Sequence, residues 1–115
     1  MQQTPIIGLP GNPVSSYLCA QLFIIPLLKE LLSLQNKNYN FLTASLNSII
    51  PKNGSRMHFM RGNVLLNKSK NIVKPKKNQD SSLVKTLQES NCLIVRPPHD
   101  HAKLKGDEVN IIKLI

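Results

Sequence analysis

The sequence predicts a mixed α and β fold in which one apolar helix precedes a small domain of short β-strands. Two observations carry this prediction. Val14, Leu18 and Leu22 begin an apolar stripe at helical spacing. From residue 41 onward the apolar runs are short or alternating, and Pro, Gly, Asn and Lys separate them. Strands at such spacing are typical of a small antiparallel barrel or sandwich.

The helix is predicted to run from Pro13 to about residue 34. Asn12 is a favoured N-cap, and Pro13 is tolerated at the first helical position because the N–H it lacks would have no partner there. Almost no polar face remains, so we expect burial on several sides. Pro26 is expected to kink the helix because it removes a backbone hydrogen bond. A strand-like stretch, Thr4–Leu9, precedes the turn, which gives the order strand, turn, helix.

The β-domain is expected to begin after a polar break at Gln35–Asn38, the best candidate for a domain boundary. A short helix is predicted from Ser81 to about Glu89, capped by Asp80 or Ser81. The predicted strands are Phe41–Ile50, Arg56–Leu66, Asn71–Lys74, Cys92–Arg96 and Glu108–Ile115.

The charge of the chain is strongly positive and unevenly placed. Fifteen Lys and Arg residues against six acidic ones give a formal net charge of +9, and the first charged residue is Lys29. Such a surface suits nucleotides, oxyanions or other anionic partners, although a lysine-rich solvated surface accounts for it equally well. Aromatic residues are sparse, which argues against single-stranded nucleic acid as a partner. The apolar segment is too short to span a bilayer, so no membrane partner is expected.

The two cysteines, Cys19 and Cys92, lie in apolar surroundings and are expected to be reduced residues of a cytoplasmic protein. His99-Asp100-His101 has a spacing that suits a metal, but a third ligand is not nearby, and a solvated loop is the preferred interpretation. No metal site is therefore predicted. Asp107 and Glu108 are assigned to a turn and the start of a strand, and Lys74–Lys77 to a charged loop.

The turn Gly8–Ser16 has the features of an anion-binding turn at the start of a helix. Unpaired N–H groups and the positive end of the helix dipole attract phosphate-like groups. Ser15 and Ser16 add hydroxyl groups in the first turn. The alternative is that Asn12 and Ser15 only cap the helix.

This turn, Gly8-Leu9-Pro10-Gly11-Asn12-Pro13-Val14-Ser15, resembles the "GLPGNPVS" segment of the MoeA/gephyrin E-domain family, the molybdopterin molybdenumtransferases. Arg56–Gly62 resembles the family's strand with paired arginines. Further similarity lies at Gln79–Ser82, at Asn91–Val95 and at Gly106–Val109, so the resemblance extends over essentially the whole chain in the right order.

The resemblance implies that residues 1–36 are the incomplete end of a molybdopterin-binding α/β domain and that residues 39–115 are a C-terminal β-barrel-like domain. The family inserts molybdate into adenylylated molybdopterin in a magnesium-dependent step that releases AMP. Its Gly-rich loop and magnesium carboxylates lie upstream of the matching region, so no magnesium ligands are expected here, and we expect the chain by itself to be inactive. It is either part of a longer protein or one of two polypeptides.

Carried over residue by residue, the resemblance implies binding of a molybdopterin-type ligand by Pro10, Gly11, Asn12, Pro13, Ser15 and Ser16. Arg56 and Arg61 are possible anion contacts, with ordinary solvent-facing arginines as the alternative. By analogy with the family, a homodimer is expected. Two other functions stay open: a non-catalytic β-domain for binding or assembly, and, less favoured, a basic nucleic-acid-binding domain.

Overall fold

A computed structural model of the chain describes residues 4–8, 11, 13–32, 41–77 and 89–114. Its β-domain is a closed barrel in which the described strands follow the order β1-β3-β2-β4-β5, with β5 returning to β1. The pairing of β1 with β3 is parallel and short, whereas the other four pairings are antiparallel. The predicted mixed fold with a mainly antiparallel barrel is confirmed. The strands are β1 (Phe41–Leu46), β2 (His58–Leu65), β3 (Ile72–Pro75), β4 (Cys92–Arg96) and β5 (Glu108–Lys113).

The strands alternate between the barrel interior and its outer face, as side chains of a strand must. On β4, Cys92 and Ile94 belong to the interior core, whereas Leu93 belongs to an outer cluster. On β2, Met60 and Val64 face the interior in the same way. Gly62 lies between them because space is short there. A Cβ atom at this position would meet the backbone oxygen of Lys74 at 3.0 Å.

A helix packs on the outside of the barrel. Leu22 is buried against Leu93 and Ile112, and Leu18 and Phe59 extend the same cluster. These contacts cover only one stripe of the helix, which was predicted to be buried on several sides. In the described structure its other side is open to solvent, with Phe23, Leu28, Leu31 and Leu32 between 50% and 67% exposed.

The helix changes geometry before Pro26, where a kink was predicted. It consists of α1 (Pro13–Cys19), a π-helical segment (Ala20–Ile24) and α2 (Ile25–Leu31). The N–H of Ile25 donates to the carbonyl of Ala20, five residues back. A π-helical turn is a usual place for a helix to absorb an interrupted hydrogen-bond ladder, and Pro26 interrupts it here.

The strand predicted at Thr4–Leu9 is not formed in its described part, residues 4–8. Residues 4–8 have no regular secondary structure and are exposed, and Ile6 is 90% exposed. A strand is stable only when a neighbouring strand satisfies its backbone groups, and no described strand pairs with this segment. The predicted boundary at Gln35–Asn38 lies outside the described residues, as does the helix from Ser81 except for Glu89. The domain limits therefore stay a prediction.

No helix within the described ranges is both long and apolar enough to cross a bilayer.

Candidate functional site

The predicted anion-binding turn is described only in part. Gly11 lies in an exposed bend, and α1 begins at Pro13 as predicted. Ser16 is half-buried in the first turn. Pro10 and Asn12 lie outside the described residues, and the described structure does not extend to the side chains of Pro13 and Ser15. Binding by this turn therefore stays a prediction.

The two predicted arginines occupy different environments. Arg61 lies in the middle of β2 and is only 2% exposed, so it is not an ordinary solvent-facing arginine. Because side chains alternate along a strand, Arg61 lies on the same outer face of β2 as Phe59. Phe59 packs in the outer cluster that contacts the helix. Arg56 is exposed in the loop before β2. Arg61 therefore lies on the face of the barrel that carries the helix, and Arg56 lies at the rim.

A third arginine, Arg96, was not singled out from the sequence, and it organises one end of the barrel. It is the last residue of β4, lies directly opposite His58 of β2, and is 2% exposed. Its Nε donates to Oδ2 of Asp100 at 2.8 Å, and its Nη2 donates to the carbonyls of Pro51 at 2.8 Å and His101 at 3.2 Å. The guanidinium group therefore joins the loop after β1 to the loop after β4.

Asn53 reinforces this junction from the other loop. Its Nδ2 lies 2.8 Å from the carbonyl oxygen of Pro97 and 2.9 Å from that of Arg56, and its backbone N–H donates to the carbonyl of Asp100 at 2.9 Å. A side-chain amide that donates to carbonyls of two different loops favours one arrangement of those loops, and each such hydrogen bond contributes about 0.5–1.5 kcal/mol. The rim of the barrel is thus tied together by one guanidinium group and one amide.

His99-Asp100-His101 belongs to this junction. Asp100 pairs with Arg96 and also lies 3.8 Å from Nζ of Lys103, while His101 offers its backbone carbonyl to Arg96. No group of three metal-ligating side chains occurs among the described residues. In the described structure the segment contributes ion pairs and a backbone hydrogen bond to the junction.

A half-open cleft of about 330 Å³ lies beside Arg96 at this end of the barrel. Its cationic lining comes from three separate parts of the chain, and the apolar side chains between them belong to Ile49, Ile50, Met60 and Pro75. Burial, then Arg96, then Arg61 lower the pKa of His58 below its ordinary value of 6.5. The cationic lining residues are Lys52, Lys76, Lys77 and Arg96, and His58 lines the cleft beside them.

One signal in the sequence could have revealed Arg96. Alternation along β4 places residues 92, 94 and 96 on the same face, so a strand with Cys92 and Ile94 inside also directs residue 96 inward. A buried arginine needs a carboxylate, and Asp100 follows four residues later.

The two cysteines are free thiols. Burial raises the pKa of the Cys92 thiol from 9.0 to about 12, which keeps it protonated and unreactive. Cys92 lies in the barrel core, whereas Cys19 is only half-buried on the helix.

Comparisons with known proteins agree with this architecture. Residues 43–114 match the family described as "MoeA C-terminal region (domain IV)". No curated protein sequence matches the chain. A molybdopterin biosynthesis moeA protein from Pyrococcus horikoshii OT3 is 26% identical, with a TM-score of 0.73 over 90% of this chain and 26% of that one.

A molybdenum cofactor biosynthesis protein from Pyrococcus furiosus shares the fold at 24% identity and a TM-score of 0.70, over 90% of this chain and 36% of its own. The present chain therefore spans about a quarter to a third of the length of these solved structures. The family match covers more than half of the 115 residues and takes in all of the closed barrel except the first two residues of β1. The chain therefore belongs to the MoeA family of molybdenum cofactor biosynthesis proteins, and its residues 43–114 match the C-terminal region of that family.

Proposed function

We propose that this chain supplies the C-terminal domain of an enzyme that inserts molybdate into adenylylated molybdopterin. The match of residues 43–114 to the family's C-terminal region carries the proposal. The Pyrococcus horikoshii relative, named for molybdopterin biosynthesis, supports it at 26% identity. The whole reaction belongs to a longer protein than these residues, and this chain contributes part of the ligand cleft.

Arg61 is the described residue best suited to that role. A buried guanidinium group is always charged and offers several N–H donors in a fixed plane, which suits an oxyanion such as molybdate or phosphate. The start of α1, with Gly11 and the hydroxyl groups of Ser15 and Ser16, would bind a second anionic group of the ligand. Arg56 would attract the anion from the rim.

Magnesium does not fit the donor set of the residues that the structure describes. The described residues include no group of three side chains able to hold a metal ion, and Asp100 is engaged by Arg96 and Lys103. The proposal therefore assigns no step to magnesium held by these residues. Accordingly, the 115-residue chain by itself is expected not to insert molybdate, and insertion by the purified chain would contradict this expectation.

The test is a titration with molybdate and with AMP, followed by NMR. If the ligand cleft survives, the amide signals of Gly11, Ser15 and Ser16 shift with saturation at millimolar ligand, and Arg61→Gln weakens binding. Lys68→Gln serves as the matched control, because this lysine is exposed in the loop after β2.

A second function, a β-domain for binding or assembly without a ligand, is favoured if neither anion shifts these signals. The exposed apolar side of the helix suits such a role, because large exposed apolar patches usually mark interfaces. The expected homodimer is tested separately by light scattering. Cytoplasmic location is likewise proposed from the family alone.

A further inference from the structure

The cleft beside Arg96 has a charge that the described structure does not balance. None of the residues that line it is acidic. Among the described residues, neither Lys52 nor Lys77 has an ion-pair partner, and the pair of Lys76 with Glu89 is long, at 3.7 Å, with the Glu89 side chain 52% exposed. A long pair with one exposed partner contributes little. The field in the cleft is therefore positive.

Arg96 gives the cleft a fixed cationic group at its edge. Two of its three nitrogen atoms are used by Asp100 and by loop carbonyls, which fix the plane of the guanidinium group. Within the described part of the chain, the third, Nη1, has only the thioether sulfur of Met60 at 3.6 Å, and such a sulfur is a weak acceptor. Met60 itself lines the cleft. Nη1 therefore keeps the capacity to donate to an oxyanion that enters there.

Apart from Ser48 and Asn53, the rest of the lining is apolar. Ile49, which is 72% exposed, borders the cleft together with Ile50 and Pro75. A volume of about 330 Å³ exceeds what a bare oxyanion needs and falls at the small end of sites for organic ligands. A ligand with an anionic group and a small apolar body matches both parts of the lining.

We propose that this cleft binds a small organic phosphomonoester, with its phosphate held by Lys52, Lys77 and Arg96 and its organic part against Ile49 and Pro75. Phosphate suits this arrangement because it accepts hydrogen bonds from lysine and arginine at once. His58 lies at the same end, opposite Arg96 across the β2–β4 pairing. It therefore serves as a reporter of charge in the cleft. The inference does not depend on the proposed function, since Arg61 and the turn before α1 do not line this cleft.

The probe is phenyl phosphate, titrated into the full 115-residue chain and followed by NMR. The expected result is saturable shifts at Lys52, His58 and Lys77, and weaker binding of inorganic phosphate. The pKa of His58 is expected to rise when phenyl phosphate is bound, because the bound anion stabilises the protonated imidazole. By the same coupling, protonation of His58 is expected to strengthen the binding of phenyl phosphate. The charged groups around His58 that enter this balance are Arg96, Arg61, Lys52, Lys76 and Lys77, with Asp100 behind Arg96.

The decisive variant is Lys52→Gln/Lys77→Gln, whose two side chains belong to exposed residues. We expect a loss of roughly tenfold in affinity for phenyl phosphate. The matched control is Lys68→Gln/Lys113→Gln, which removes the same charge from exposed lysines outside the cleft and is expected to change affinity by less than about twofold. Thermal unfolding of both variants checks that the fold is intact.

Four outcomes would overturn the proposal. Equal losses in the two double variants would mean that net charge alone attracts the anion. Shifts centred on Gly11–Ser16 instead of the cleft would place the phosphate elsewhere. Equal shifts with benzyl alcohol would show that the cleft does not require an anionic group on the ligand. Equal affinity for inorganic phosphate would show that it does not require an organic part.

Discussion

Replacing Arg96 by methionine is the sharpest test of how the barrel end is held. Methionine keeps an apolar stem of similar length and removes the guanidinium group, which donates to Asp100 and to the carbonyls of Pro51 and His101. Breaking a buried ion pair on one side costs about 3–5 kcal/mol because the remaining charge is left uncompensated. Asp100 keeps Lys103 at 3.8 Å and its side chain is 17% exposed, so the lower end of that range applies.

We therefore expect Arg96→Met to lower the free energy of unfolding by about 3 kcal/mol, which corresponds to a fall in melting temperature of about 10–15 °C for a chain of this size. The assay is urea unfolding followed by circular dichroism. The double variant Arg96→Met/Asp100→Asn removes the stranded carboxylate and is expected to be at least as stable as the single variant. A single variant within about 0.5 kcal/mol of the unchanged chain would refute the assigned role of the guanidinium group.

Three further predictions concern the barrel and its helix. Gly62→Ala is expected to cost about 1–3 kcal/mol in urea unfolding, because the added Cβ meets a backbone oxygen at 3.0 Å, whereas Gly54→Ala, in open space, changes stability little. Leu22→Ala should lower stability by about 2–3 kcal/mol and speed amide exchange in the helix, unlike Phe23→Ala on its exposed side. His58 has a lowered pKa in the folded chain, so the unfolded chain binds the proton more readily below pH 6.5. Stability is therefore expected to fall as pH drops through and below 6.5 and to be level above it, and His58→Gln should flatten this dependence in urea titrations.

The strands were largely predictable from local pattern. The run Cys92–Arg96 forms β4 as predicted, and β1, β2, β3 and β5 each begin within two residues of their predicted starts. Short apolar runs between turn residues have few alternatives to pairing as strands. The prediction failed at Thr4–Leu9, where the local pattern was suitable but no described strand supplies a partner.

The two candidate sites also differ in how far the sequence could reveal them. The motif at Gly8–Ser16 is contiguous, so its residues could be proposed without knowing the fold. The cleft beside Arg96 could not, because Lys52, His58 and Lys77 come together only when the loop after β1, the start of β2 and the end of β3 meet at one end of the barrel.

The sequence by itself determined the kinds of element, the start of the helix and the family resemblance, since these depend on residue type and spacing along the chain. The tertiary structure decided that β1 closes the barrel against both β3 and β5, that Arg61 is buried, and that Arg96 ties two loops together. The physical reason is that strand pairing and burial depend on which distant segments supply hydrogen-bond partners and packing surfaces. A local sequence pattern does not contain that information.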